Sequence, residues 1–198
     1  MRTKPEGHAM AAADPDPHRP IDGNPHFRHS TLREKIAEHL FIGELLRRLW
    51  QLDVFEAEVL RSEFDAGGYD LVLSCREIVR HIQFKTIIAG GKAQSVKLSL
   101  RLAEKPSGCA VWMVLSDELQ IRSFLWFGGE PGQPLPDISV AKVARHTKAD
   151  ATGTKKARDN HRIVARSRFE TVPSLDMLIT KLLGNVVVPP GTDRPSSQ

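Results

Sequence analysis

The stretch Ile78–Thr86 constrains this chain most. It reads IVRHIQFKT, with Ile82 and Phe84 on one side of an extended strand and His81, Gln83 and Lys85 on the other, because successive side chains of a strand point to opposite faces. Just upstream, Tyr69–Leu73 is an apolar run opened by Asp70, and Ser74–Glu77 supplies a turn. The two runs predict an antiparallel hairpin turning near Cys75 and Arg76. Asp70 on one arm then comes within a few residues of Gln83 and Lys85 on the other. A lysine among apolar neighbours needs an acidic partner if it is buried. Asp70 is one candidate, and Glu38 is the second.

Glu38 belongs to a long helical pattern. Ser30-Thr31 reads as a helix start, with Glu34 placed after Thr31 as in a capping box. The helix runs to about Trp50, and Phe41, Ile42, Leu45 and Leu49 fall on one stripe with Glu38, so the carboxylate points along the apolar side. Glu44, Arg47 and Arg48 take the opposite side. Further strand-like runs are Val54–Glu63, Cys109–Leu115 and Ile121–Phe127. Asp65-Ala66-Gly67-Gly68 is a turn, and Gly128–Asp137 is a Gly/Pro loop. Ala93–Glu104 leans towards an extended segment by its period of two, although a helix is also compatible. Ser174 starts a last helix over Leu175–Leu183 that Gly184 ends.

The 198 residues suffice for a single α/β domain with a real core. The expected organisation is a polar, proline-broken tail over 1–29, one domain over 30–186 and a second tail over 187–198. The histidines of the first tail (His8, His18, His26 and His29) have no regular spacing. The two cysteines, Cys75 and Cys109, form no CxxC pair. A cysteine-built zinc site is therefore not expected, and two ordinary thiols are. No run reaches the length of a membrane helix, and no apolar core of a signal peptide opens the chain. A cytoplasmic protein without a membrane partner is the expectation. The formal net charge of +4 permits a nucleic-acid partner without demanding one.

The layout of Glu38 on a first helix, Phe64-Asp65-Ala66-Gly67-Gly68-Tyr69-Asp70, and then His81-Ile82-Gln83-Phe84-Lys85-Thr86 resembles the PD-(D/E)XK nuclease superfamily. That family places an acidic residue on a helix, an Asp at the start of a second strand and a (Glu/Asp/Gln)-x-Lys on a third. The resemblance covers roughly residues 31–127. It implies an α/β fold of the restriction-endonuclease kind, with a mixed β-sheet of four to five strands flanked by helices and the site at the splayed edge of the hairpin. It also implies phosphodiester hydrolysis, most readily in DNA, in restriction, repair or defence. Mg²⁺ or Mn²⁺ would be held by Asp70, the Gln83 side-chain oxygen and the Phe84 carbonyl, backed by Glu38. Lys85 would orient or deprotonate the attacking water, or stabilise charge on the phosphate. Many members carry Glu where Gln83 stands; Gln keeps an oxygen but removes a negative charge. A catalytically inactive nucleic-acid-binding or assembly module is the alternative. Many relatives pair, so a homodimer is compatible with the resemblance.

Plainer roles exist for each residue. Asp70 can cap the Gly-Gly turn, Lys85 can be an exposed strand-end charge, and Glu38 can pair with a basic neighbour on its helix. Ala141–Arg168 is rich in basic residues. Lys148, Lys155, Lys156, Arg158 and Arg162 suit contacts to a phosphate backbone, and a solvated loop is the alternative. Trp50, Trp112 and Trp126 lie in apolar runs and read as core rather than base-stacking residues.

Overall fold

The computed structural model describes residues 25–61, 67–145 and 156–184. A helical turn α1 (Pro25–Arg28) precedes the long helix α2 (Ser30–Gln51). Then come β1 (Ala57–Arg61), β2 (Leu71–Cys75), β3 (Ile78–Ile88) and β4 (Ser95–Ser99), followed by the short helix α3 (Leu100–Ala103). The chain continues through β5 (Gly108–Leu115), β6 (Ile121–Gly128), β7 (Val143–Arg145) and β8 (Ala157–Ala165). A 3₁₀ turn at Arg166–Arg168, β9 (Glu170–Val172) and α4 (Leu175–Leu183) are the last elements among the described residues.

The architecture is mixed α/β. A six-stranded sheet runs in the order β1-β2-β3-β5-β6-β9, and a separate three-stranded sheet runs β4-β8-β7. In the larger sheet only β3 and β5 are parallel; the other neighbours are antiparallel. A parallel pair needs a crossover, and β4 with α3 provides it. Five of the six strands are those expected. The sixth, β9, spans three residues and is too short to show an alternation. The ambiguous 93–104 segment is half strand and half helix, and its strand belongs to the second sheet.

The sheet has an apolar core on each face. On one side Ala37, Phe41, Leu45 and Leu49 of α2 and Leu178, Ile179, Leu182 and Leu183 of α4 cover Leu71, Leu73, Ile82, Phe84 and Val111. Phe41 meets Phe84 edge-on at 5.0 Å, a favoured geometry for paired rings. On the other side Ala110, Trp112, Leu125 and Phe127 pack against Leu98, Val164 and Phe169. Those three come from the smaller sheet and the turn that follows it. Gln83 and Lys85 are set beside Ala110 and Trp112 in the parallel register, so they face the smaller sheet while Phe84 faces α2.

The ends of α4 follow the sequence reading: the Ser174 hydroxyl accepts from the Met177 amide, and Gly184 ends the helix at φ 61°. The start of α2 does not. Its N-cap is His29, without a side-chain cap, so Thr31 and Glu34 lie inside the helix instead of forming a capping box. Arg33 ties α1 on instead, donating to the His26 carbonyl at 2.8 Å. That turn occupies part of the expected tail 1–29; residues 1–24 and 185–198 lie outside the described residues, as do 62–66 and 146–155. Trp112 and Trp126 are core, but Trp50 is 71% exposed and stacks edge-on against Phe55 at 5.0 Å. It stands one residue on from the buried Leu49, about 100° further round the helix, so the apolar run around it does not bury it. No described helix is long and apolar enough to cross a membrane.

Candidate active site

The hairpin turns through Arg76 and Glu77, with Cys75 paired to Ile78 and the ladder ending at Leu71 paired to Ile82. Arg76 takes a positive φ of 51° to close this turn. Beyond Ile82, β3 runs on beside β5 as far as Ile88, with β2 no longer at its other side. The sheet therefore opens at Gln83, and Asp70 sits at the opening. Its amide donates to the Ile82 carbonyl at 2.9 Å. Its Oδ2 accepts from the Phe84 amide at 2.7 Å, taking over a backbone donor at the point where the neighbouring strand ends.

Two clefts meet at this opening. One, of about 160 Å³, is lined by Glu38, Asp70, Lys85 and the first turns of α2 from Thr31 to Lys35, together with Phe84 and Thr86. The other, of about 350 Å³, has Asp70, Gln83 and Lys85 on one wall and Val96, Lys97, Arg158 and His161 on the other. Asp70 and Lys85 belong to both. Of the four residues expected at the splayed edge of the hairpin, Asp70 and Lys85 line both clefts, Glu38 lines the first and Gln83 the second.

The electrostatics differ between the two sides. Glu38 is buried by the packing of α2, yet it is ion-paired: Lys35 Nζ lies 2.9 Å from Oε2, and an Arg61 guanidinium nitrogen lies 3.5 Å from Oε1. The pairing with Lys35 is the within-helix alternative read from the sequence, joined by a cation from β1. The Gln83 side-chain oxygen is buried and accepts no hydrogen bond from the described residues. A buried acceptor in that condition is costly and marks a place where a ligand can be accommodated. On the same face, His81 has its ring nitrogen Nδ1 buried and its ring edge-on to Tyr69 at 5.0 Å. Burial pushes its pKa down from the ordinary histidine value, and the nearby Lys105 adds to the effect.

The residues expected to meet nucleic acid divide. Arg158 lines the wider cleft, and Lys156 is exposed just before β8. The Arg162 guanidinium is instead turned to backbone carbonyls, donating to Ser139, Asp159 and His161 at 3.0, 2.6 and 3.3 Å. Lys148 and Lys155 lie outside the described residues. Sequence reasoning missed Lys97 and His161, which reach the cleft only because a second sheet forms across it. It also missed Arg80, which is fully buried on the face of Ile82 and donates to Lys181 and Leu182 carbonyls at the end of α4 at 2.7 and 2.8 Å. Burial lowers the Arg80 pKa from its ordinary value. An arginine inside an alternating apolar strand is the one signal that could have found this contact.

No protein-family model matches the chain, and the comparison with curated proteins gives no match. Among solved structures the chain is similar to a bacterial homing endonuclease, I-Ssp6803I, at 19% identity over 64% of this chain and 86% of that one, with a TM-score of 0.31. At that TM-score the likeness carries no weight for function, which rests on the side chains of the two clefts.

Proposed function

We propose that this chain is a metal-dependent nuclease of the PD-(D/E)XK kind, hydrolysing phosphodiester bonds in DNA. The observation that carries the reading is the sharing of Asp70 and Lys85 by two clefts, with Glu38 in one and Gln83 in the other. The Asp70 carboxylate, the buried Gln83 oxygen, unpartnered among the described residues, and the Phe84 carbonyl are all hard oxygen donors, the set that suits Mg²⁺ or Mn²⁺. Such a cation, when bound, would offset the charge developing on the phosphate and acidify the attacking water.

The protein's own groups supply the rest. The Phe84 amide fixes the Asp70 carboxylate in one orientation. Lys85 brings a positive charge to both clefts, where it orients the attacking water and stabilises charge on the phosphate. Glu38, steadied by Lys35 and Arg61, stands on the helix side of the narrower cleft as an acceptor for the water's proton. Lining residues on the smaller sheet supply cations for the nucleic-acid backbone.

One observation favours a second reading, an inactive nucleic-acid-binding module. Among the described residues, no three His, Cys, Asp or Glu side chains cluster as a metal-holding group, and Gln83 is an amide where many members of that superfamily carry a carboxylate. Incubating the protein with supercoiled, linear and single-stranded DNA in Mg²⁺, Mn²⁺ or EDTA separates the two. Metal-dependent cutting that is lost in both Asp70→Asn and Lys85→Ala, with circular dichroism unchanged, supports the nuclease. Salt-sensitive binding without cutting on any substrate rejects it in favour of the module.

A further inference from the structure

We propose that Lys97, Arg158 and His161 form a subsite for a backbone phosphate next to the one held at Lys85, built by a bulge in β8. The identity of the polyanion as nucleic acid rests on the reading above; the subsite itself rests on the geometry of the smaller sheet.

Strict alternation along β8 would send Arg158 and His161 to opposite faces, yet both line the same cleft. The pairing explains how. Val143 of β7 is set against Arg162, and the next residue, Ala144, against Arg158. Asp159, Asn160 and His161 therefore stand on β8 with no counterpart on β7. Bulges of this kind re-aim side chains and recur beside active sites. Arg162 braces the bulge from within, since its donors go to the Asp159 and His161 carbonyls and across to Ser139.

Lys97 of β4 completes the wall. Its ammonium donates to the Arg145 carbonyl at 2.9 Å, which anchors the group and leaves a lysine further protons for another acceptor. On the other side of β8, Ser99 pairs with His161, so β4 fixes where the imidazole emerges. The opposite wall carries Lys85, and Asp70 is the one carboxylate among the described residues lining this cleft. An anion is the ligand that this lining fits. The continuity of the cleft with Lys85 and Asp70 makes a chain of phosphates a better fit than a lone phosphate ion.

The test measures binding of the full chain to a fluorescent DNA duplex in EDTA, by anisotropy across a range of salt. Each phosphate contact contributes about 0.9 to the slope of log affinity against log salt, so Lys97→Gln/Arg158→Gln together, by removing the subsite's one phosphate, should lower that slope by about 0.9 and weaken binding at low salt. Arg158→Gln alone should lower it in the same direction, by up to about 0.9, and provides the readout should the double variant not fold. Arg47→Gln, on the exposed side of α2, should leave it unchanged. Inorganic phosphate should compete with the duplex only at far higher concentration; equal competition would overturn the polyanion and leave an isolated anion site. A slope unchanged in both variants overturns the subsite, and so does a parent protein that binds no duplex. Cutting by the parent is scored separately. Cutting with an unchanged slope sinks the subsite alone, while a reduced slope without cutting supports the subsite and removes only the nuclease.

Discussion

The Oδ2 of Asp70 accepts a hydrogen bond from the backbone amide of Phe84 at 2.7 Å. The carboxylate thus has a structural task that can be separated from any chemistry. Asp70→Asn keeps an oxygen acceptor for that amide, whereas Asp70→Ala leaves the amide unsatisfied at the sheet opening. Asp70→Ala should lose about 1–3 kcal/mol of stability while Asp70→Asn loses much less. Both should lose metal-dependent cutting by about 100-fold or more, the scale of losing one stabilising group in an active site. Urea unfolding and a cutting assay on the same preparations check the two halves.

Arg80 should prove one of the most sensitive positions for folding. Its guanidinium reaches the Leu182, Lys181 and Gly129 carbonyls and the Ser107 hydroxyl, and it lies 5.4 Å from the Trp126 ring centroid. Replacing it by Met fills similar space but strands those acceptors. Arg80→Met should cost about 3 kcal/mol or more, seen as a lower urea midpoint with the slope retained.

Gly68 precedes the site by two residues and has φ 71°; a Cβ added there would stand 2.4 Å from the Ser99 Cβ. Gly68→Ala therefore faces both an unfavourable backbone region and a collision with the smaller sheet. A stability loss of about 1–3 kcal/mol is expected, and cutting should fall further than stability because Asp70 is displaced. A variant as stable and active as the parent would sink this account.

Cys75 and Cys109 are fully buried. Burial pushes the Cys109 thiol up to about 12 and raises Cys75 above its ordinary value as well, so neither forms thiolate readily at neutral pH. A thiol reagent should label neither residue in the native protein and both after unfolding in denaturant.

Arg48 of α2 and Asp176 of α4 form a two-pronged exposed pair, with contacts of 2.6 and 2.9 Å. The hydrogen bond from Arg48 holds the Asp176 carboxyl below its ordinary pKa. A lowered folded-state pKa means that the unfolded chain binds the extra proton first. The pair's contribution is thus present above the ordinary carboxylate pKa and lost as pH falls through the folded one. Asp176→Asn should be less stable than the parent at neutral pH, and the difference should vanish in strong acid. Being exposed, the effect should be small and salt-sensitive.

The parts of this protein that show in its sequence are those where one segment carries its own pattern. The stripe of Phe41, Leu45 and Leu49 and the alternation of Ile82 and Phe84 each meet a single large apolar surface, so period alone places them. Glu38 could be put on the site side of α2 for the same reason. The smaller sheet does not show. Its strands β7 and β8 lie in a polar, basic stretch, and a bulge removes the alternation from β8 where it matters most. Trp50 misleads because a run of apolar residues does not say which of its members fall on the buried side of the helix. Arg80 breaks the pattern of its strand, and only the fold reveals that its partners are carbonyls of a helix some hundred residues later.

That last contact has a consequence for timing. During synthesis, β3 leaves the ribosome well before α4 exists, so Arg80 must wait, hydrated, for the carbonyls of Lys181 and Leu182. The part of that strand's apolar side around Arg80 cannot close until they arrive. A nascent chain would hold all four proposed site residues and still lack a settled strand to display them, which keeps the site immature until α4 is made.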